Sequence, residues 1–205
     1  MVRIDERGAG RAPALAPAGR RAALIAAAVP LITERGFDVS TRELADAAGV
    51  AQGTIFRVFD CKDDLVLAAA RSVFARTDHL DELRGVDPHL PLDRRLVEIV
   101  RIWQGVLGRM TAVFHAFRGP TERERLGDPH ALVDTDVIAQ ADAIVAGLLE
   151  PDADHLTTSV SDVVQLIAAL VMASVHPMQQ DGPLTTPERL VAVLLHGVHT
   201  PDQHT

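Results

Sequence analysis

At 205 residues, 47% hydrophobic but only 3% aromatic, the chain is long enough to bury a sizeable core built mainly from aliphatic side chains. Its one cysteine excludes an intrachain disulfide and a cysteine-ligated zinc cluster. No apolar run reaches the roughly 18–20 residues of a membrane span; the best candidate, Leu166 to Val175, is cut off by His176 and Pro177. The net charge of −8 is unevenly spread: residues 1–64 hold nine basic and nine acidic side chains, and the remaining eleven basic and nineteen acidic ones carry the whole excess. A neutral N-terminal part therefore precedes an acidic body.

Alanine, leucine and arginine are abundant, which favours helix throughout, and the fold class is read as all-α. Residues 1–18 are rich in Arg, Pro, Ala and Gly, show no helical stripe, and read as a disordered tail with no secretory pattern. A first helix is expected over Gly19–Arg35, where Leu24, Ala27, Ala28, Leu31 and Ile32 recur at three- and four-residue steps. Pro30 removes one backbone bond and predicts a kink or a displaced start. Gly36 is the expected stop, Phe37 tucks inward, and Ser40 with Glu43 three residues on has the form of a capping box.

From Ser40 to Lys62 the pattern is two short helices around a tight turn. Leu44, Ala45 and Ala48 form one apolar face, Gly49 sits where the turn needs positive φ, and Ile55, Val58 and Phe59 resume the stripe. Such spacing suits a helix-turn-helix, and an ordinary packed αα-hairpin is the plainer alternative for the pattern alone. The flanks decide between them. Leu31, Gly36, Phe37, Thr41, Leu44, Ala45, Ala48, Gly49, Val50, Gly53, Thr54, Phe56, Phe59, Lys62 and Leu65 stand in order and spacing within Arg21–Ala70. This quarter of the chain resembles the N-terminal domain of the TetR family of transcriptional regulators.

The resemblance implies a three-helix DNA-binding head over 19–64 and a ligand-binding, dimerising body over 65–205, about nine helices in all. Ala51, Gln52, Gly53, Thr54, Phe56 and Arg57 would lie on the recognition helix, expected over Ala51–Val58. Gln52 can pair with adenine, Ala51 can touch a thymine methyl, and Gly53 lets backbone approach closely. Thr54 offers a hydroxyl to phosphate, and Arg57 can meet a phosphate or a guanine. Thr41 and Arg42 would contact the DNA backbone, as would Lys62 at the start of the next helix. Arg11, Arg20 and Arg21 are further phosphate candidates. The family usually carries tyrosine where this chain has Phe56; phenylalanine keeps the packing and loses the hydroxyl.

In the body, a helix is expected from Lys62 to about Leu83, then a break at Arg84–Leu92 around Pro88 and Pro91. Further helices are read over Leu92–Val106 and Met110–Phe117, with a turn at Gly108 between them and a loop over Arg118–Pro129 after them. The last three are read over Ala131–Leu149, Thr158–His176 and Pro187–His199, with Gly182 and Pro183 in the final loop. Trp103, Met110, Phe114, His115 and Phe117 are the candidate lining of a pocket for a mostly apolar molecule, with plain core as the alternative. Val163, Val164, Ile167, Val171, Leu190, Val191 and Leu194 form broad apolar faces that the resemblance assigns to a homodimer interface. His196 and His199 share a helix face, but too few ligands accompany them for zinc, and no metal or cofactor is expected. No catalytic signature is present. Cys61, ahead of Lys62 at a helix start, is a candidate redox switch or simply an N-cap. The resulting expectation is a cytoplasmic, dimeric repressor that binds a palindromic DNA operator and is released by a small molecule. The alternative is an all-α small-molecule-binding protein or enzyme with a vestigial head.

Overall fold

The computed structural model describes residues 16–176 and 185–197, and the expectations for Arg11, Gly182, Pro183 and His199 lie outside them. Pro17 opens the first helix, α1 (Pro17–Arg35), where its fixed φ and missing N–H cost nothing. The helix therefore begins two residues before the expected Gly19, and positions 17 and 18 of the expected tail are its first turn. Pro30 stays inside the helix on its exposed side, where water can serve the carbonyl that loses its partner. Leu24, Ala28 and Ile32 turn inward, and Gly36 ends the helix at φ 54°.

The next two helices are α2 (Thr41–Ala47) and α3 (Gln52–Ile55). Ser40 caps α2 as its pattern predicts: its hydroxyl accepts from the Glu43 N–H at 3.3 Å, and the Glu43 carboxylate accepts from the Ser40 N–H at 2.9 Å. The Ser40 hydroxyl also donates to that carboxylate at 2.7 Å, and this bond, followed by the Ser40 N–H and Arg35 at 2.8 Å, holds the Glu43 carboxyl at about 2, well below its ordinary 4.5. The native state thus binds fewer protons than the unfolded chain. The charged cap's contribution is complete above pH 4.5 and fades as pH falls toward 2. Glu43→Gln, which keeps a partner for the cap but no charge, should melt below wild type at pH 6. The gap should close as pH falls through that window, as read by circular dichroism.

After the head follow α4 (Lys62–Phe74), α5 (Asp78–Arg84), α6 (Leu92–Ala116) and α7 (Pro120–Leu126), then α8 (Thr135–Leu149), α9 (Val160–Ser174) and α10 (Pro187–His196). Among the described residues there are ten α-helices and three short 3-10 turns, joined by loops, and no strand. No single helix among them is long and apolar enough to cross a membrane.

Several boundaries differ from the sequence reading, each for a local reason. The helix expected to run from Lys62 to Leu83 breaks after Phe74, where Ala75 and Thr77 leave helical geometry and Arg76 folds onto Asp78 as an ion pair. The turn expected at Gly108 is absent, and α6 runs unbroken for 25 residues through Gly105 and Gly108. Glycine lowers helix propensity by about 1 kcal/mol without abolishing it, and tertiary packing outweighs that. A Cβ on Gly108 would come within 4.0 Å of Val175, so α9 runs close beside this point. The expected loop at 118–129 contains α7, started by Pro120 and stopped by Gly127 at φ 86°, with Leu126 fully buried.

The buried side chains fall into two apolar cores. One gathers α1–α4, including Ile32, Leu44, Ile55, Phe59 and Leu65, and takes in Val113, Phe117 and Leu126 from the end of α6 and from α7. The other gathers α5, the first half of α6, α8, α9 and α10 around Leu83, Ile99, Val145, Ile167 and Leu190. The α6 helix is the beam shared by both. Arg95 is buried near its start, where it donates to the Pro88 and Leu90 carbonyls at 2.7 and 3.0 Å and pairs with Asp152, pinning the segment between α5 and α6.

Candidate nucleic-acid interface and ligand cavity

The turn between α2 and α3 is closed by backbone bonds. The Val50 N–H reaches the Ala45 carbonyl at 3.0 Å and the Gly49 N–H reaches that of Asp46 at 3.1 Å, with Gly49 at φ 64°. This Schellman arrangement needs a left-handed residue, hence glycine. Leu44, Ala45, Ile55 and Phe59 are buried beneath it. The regular part of the second helix is shorter than the Ala51–Val58 expected: Ala51 is its N-cap, Gln52–Ile55 is α-helical, and turns carry the chain on to Val58.

Ala51, Gln52, Gly53, Phe56, Arg57 and Arg42 are exposed, and Thr41 and Thr54 half-buried. Phe56 is 53% exposed, a large apolar ring that the chain's own packing leaves uncovered. A Cβ on Gly53 would meet nothing within 4 Å and its φ is not positive, so nothing inside the chain demands glycine there. Arg42 pairs loosely with Asp46 at 3.8 Å, an exposed contact of little energetic weight. Lys62 differs from the others: its ammonium donates to the Phe37 carbonyl at 2.6 Å and lies 3.7 Å from Asp63, so it ties α4 to the 3-10 turn that follows α1. Arg21 stacks over the Phe59 ring at 4.9 Å. Cys61 is exposed at the N-cap of α4, its N–H bonded to Asp64 at 3.2 Å.

Residues 24–69 match the model of the bacterial regulatory proteins of the tetR family. The three-helix head is thus similar to the N-terminal part of that family, and the likeness in fold extends over the rest of the chain. A TetR transcriptional regulator from Streptomyces coelicolor is 24% identical, with 88% of this chain and 99% of that one aligned at a TM-score of 0.56. A bacterial regulatory protein of the tetR family from Rhodococcus is 16% identical over 89% and 98%, at 0.54. FadR from Bacillus subtilis, solved in complex with stearoyl-CoA, is 18% identical over 87% and 99%, at 0.51. Among curated proteins none is significantly similar in sequence.

Between the two cores lies an apolar cavity of about 230 Å³. Trp103 and Met110 of α6 line it as the sequence predicts. The other three predicted residues do not. Phe114 packs edge-on against Phe74, with centroids 5.4 Å apart. His115 faces His176 at 6.0 Å. Phe117 is buried against Phe37 in the head core. The rest of the lining includes Phe74 at the end of α4, Arg76 in the break and His79 on α5, a break and a helix the sequence reading did not separate, together with Asp142 on α8 and Met172 on α9, from helices it expected but did not assign to the pocket. The only advance signal was a histidine set within the apolar spacing of a supposed long helix. Burial holds His79 below the ordinary imidazole range, against the pull of Asp78 and Glu82, and raises Asp142, which the Gln165 side chain partly offsets.

The residues assigned to a dimer interface are placed elsewhere. Val163, Val164, Ile167, Val171, Leu190 and Val191 are buried within a single chain, and Leu194 packs beside them. Their broad stripe is the core-facing side of α9 and α10, already covered by α6 and α8. Among the described residues no group of three or more His, Cys, Asp or Glu side chains is disposed to hold a metal ion.

Proposed function

We propose that this chain is a ligand-responsive transcriptional regulator, a dimeric repressor that grips a palindromic operator and releases it when a small molecule enters the cavity. The observation that carries the DNA half is the exposed end of α3. Gln52, Gly53, Phe56 and Arg57 lie open on a rigidly supported turn, and the glycine and the bare ring have no purpose inside the chain. In this reading Gln52 pairs with a base edge, Gly53 admits a phosphate close to backbone, Phe56 packs on sugar or a thymine methyl, and Arg57, Arg42, Thr41 and Thr54 hold phosphates. Lys62 acts first by fixing α4 to the turn after α1 and offers its remaining N–H groups to DNA.

The ligand half rests on where the cavity sits. Val73 and Phe74, in the last turn of the helix that Lys62 begins, form part of its wall. A molecule that fits one arrangement of α4 better than another shifts the population of head positions. The FadR of similar fold, solved with stearoyl-CoA, is an instance of this architecture holding an organic ligand. For the dimer, the side of α9 left uncovered carries Leu166, Ala169 and Ala173, spaced as one helical stripe, and these replace the buried residues as the seam.

The deciding experiment is a salt-titrated binding assay on the intergenic DNA beside the protein's own gene, with unrelated DNA as control. Tight, symmetric protection of about two half-sites one helical turn apart supports the reading. Equal, weak, salt-erased binding to both DNAs counts against it. On the operator so found, Gln52→Ala should cost about 1–3 kcal/mol of discrimination at a single base pair, measured by competition with point-substituted operators. An unchanged preference would place the base-reading side chain elsewhere on the helix.

A further inference from the structure

The chemistry of the cavity narrows its occupant, given the reading above that this cavity is the ligand site. His79 lines it, is only 7% exposed, and its Nδ1 has no hydrogen-bond partner. An unpaired buried polar atom is exceptional in a folded protein and costs about 1–3 kcal/mol. The charged lining is acidic, from Asp134 and Asp142, and the guanidinium of Arg76 is taken up by Asp78. The remaining walls are apolar and include the Phe74 and Trp103 rings and the thioethers of Met110 and Met172, all of which pack well on a flat ring. The volume of about 230 Å³ is half as large again as the roughly 150 Å³ apolar cavity that admits benzene. It falls below the roughly 300 Å³ at which pockets for larger organic ligands begin.

We propose that the cavity binds a small, uncharged phenol: one or two aromatic rings between Phe74, Trp103 and Met110, with the hydroxyl paired to His79. A hydroxyl both donates and accepts, so it satisfies Nδ1 in either tautomer of the neutral ring, and it can donate equally to Asp142. A carboxylate of the same shape meets two like charges and no free cation among the described lining residues. A hydrocarbon of the same shape leaves the histidine unpaired.

The test uses the full-length protein and three probes of one outline: 4-ethylphenol, ethylbenzene and 4-ethylbenzoate. Binding is read from the fluorescence of Trp103, the single tryptophan in the chain and part of the cavity wall. The phenol should bind about 5- to 100-fold tighter than ethylbenzene, the range that pairing one buried polar atom provides, and 4-ethylbenzoate should bind weakest. In His79→Leu the preference for phenol over ethylbenzene should collapse while ethylbenzene still binds. Equal affinity of phenol and ethylbenzene in the wild type, tightest binding of the benzoate, or binding of none of the three overturns the proposal without recourse to the variant. A preference that survives in His79→Leu overturns the role of His79. Displacement of operator DNA is measured separately by fluorescence anisotropy. A His79-dependent phenol preference without DNA release upholds this inference and defeats the regulatory reading instead.

Discussion

Gly36→Ala is expected to destabilise the protein by about 3–5 kcal/mol, far more than a typical surface change. Two costs combine. The backbone there has φ 54° and ψ −124°, a region that side chains other than glycine rarely enter, worth about 1–3 kcal/mol of strain. A Cβ would also stand 2.5 Å from the carbonyl oxygen and 3.2 Å from the carbonyl carbon of Ala116, backbone atoms at the end of α6 that have no rotamer with which to retreat. Urea unfolding followed through Trp103 should show a lower midpoint with an unchanged slope. Gly49→Ala is the control, since its φ of 64° carries strain but a Cβ there meets nothing within 4 Å. It should lose only about 1–2 kcal/mol. Equal losses at the two sites would show that the approach of Ala116 to Gly36 does not matter.

The second large effect is expected at Phe117. Its ring is 1% exposed and meets Phe37 edge-on at 5.1 Å, with an interplanar angle of 67°. Arg125 of α7 lies over the other ring of that pair, 4.4 Å from the Phe37 centroid, and bonds to Asp63 of α4 at 2.5 Å. Phe117→Ala should cost about 3–5 kcal/mol by opening a cavity at this junction. Phe117→Leu keeps most of the volume and forfeits mainly the aromatic pair, about 0.5–1.5 kcal/mol. Thermal or urea unfolding of both variants checks the order. A Phe117→Ala loss no greater than that of Phe117→Leu would mean the junction collapses to fill the gap.

The head was legible because its constraints are local and close together in sequence. A capping box, a left-handed glycine and two apolar faces a few residues apart leave one way to fold, and Ser40, Gly49 and Ile55 stand where that pattern puts them. The body was legible only as helix. Periodicity identifies an apolar face but not its partner, so Val163, Ile167 and Leu190 looked like an interface and are core. Glycines at 105 and 108 looked like punctuation, yet the packing of α6 in two cores overrides them. The break after Phe74 follows no proline or glycine; it is held by a pairing between Arg76 and Asp78 that spacing alone does not announce. That break is what brings His79 to the cavity, so the polar group of the candidate ligand site stayed hidden until the chain was seen folded.

The way the first core is assembled bears on how such regulators can be recombined. The sequence suggests a seam near residue 64, yet the apolar interior of the head is finished by Val113, Phe117 and Leu126, which come from well beyond that seam. A chimera that grafts this head onto another body at that seam would strip Phe37 of its ring partner and leave the Gly36 turn facing a foreign helix end. If the proposed DNA-binding role holds, exchange of DNA specificity between proteins of this fold should succeed when only the exposed positions around Gln52 and Arg57 are traded, or when the last turns of α6 and α7 travel with the head. The physical unit of exchange is the head together with the residues of α6 and α7 that close its core.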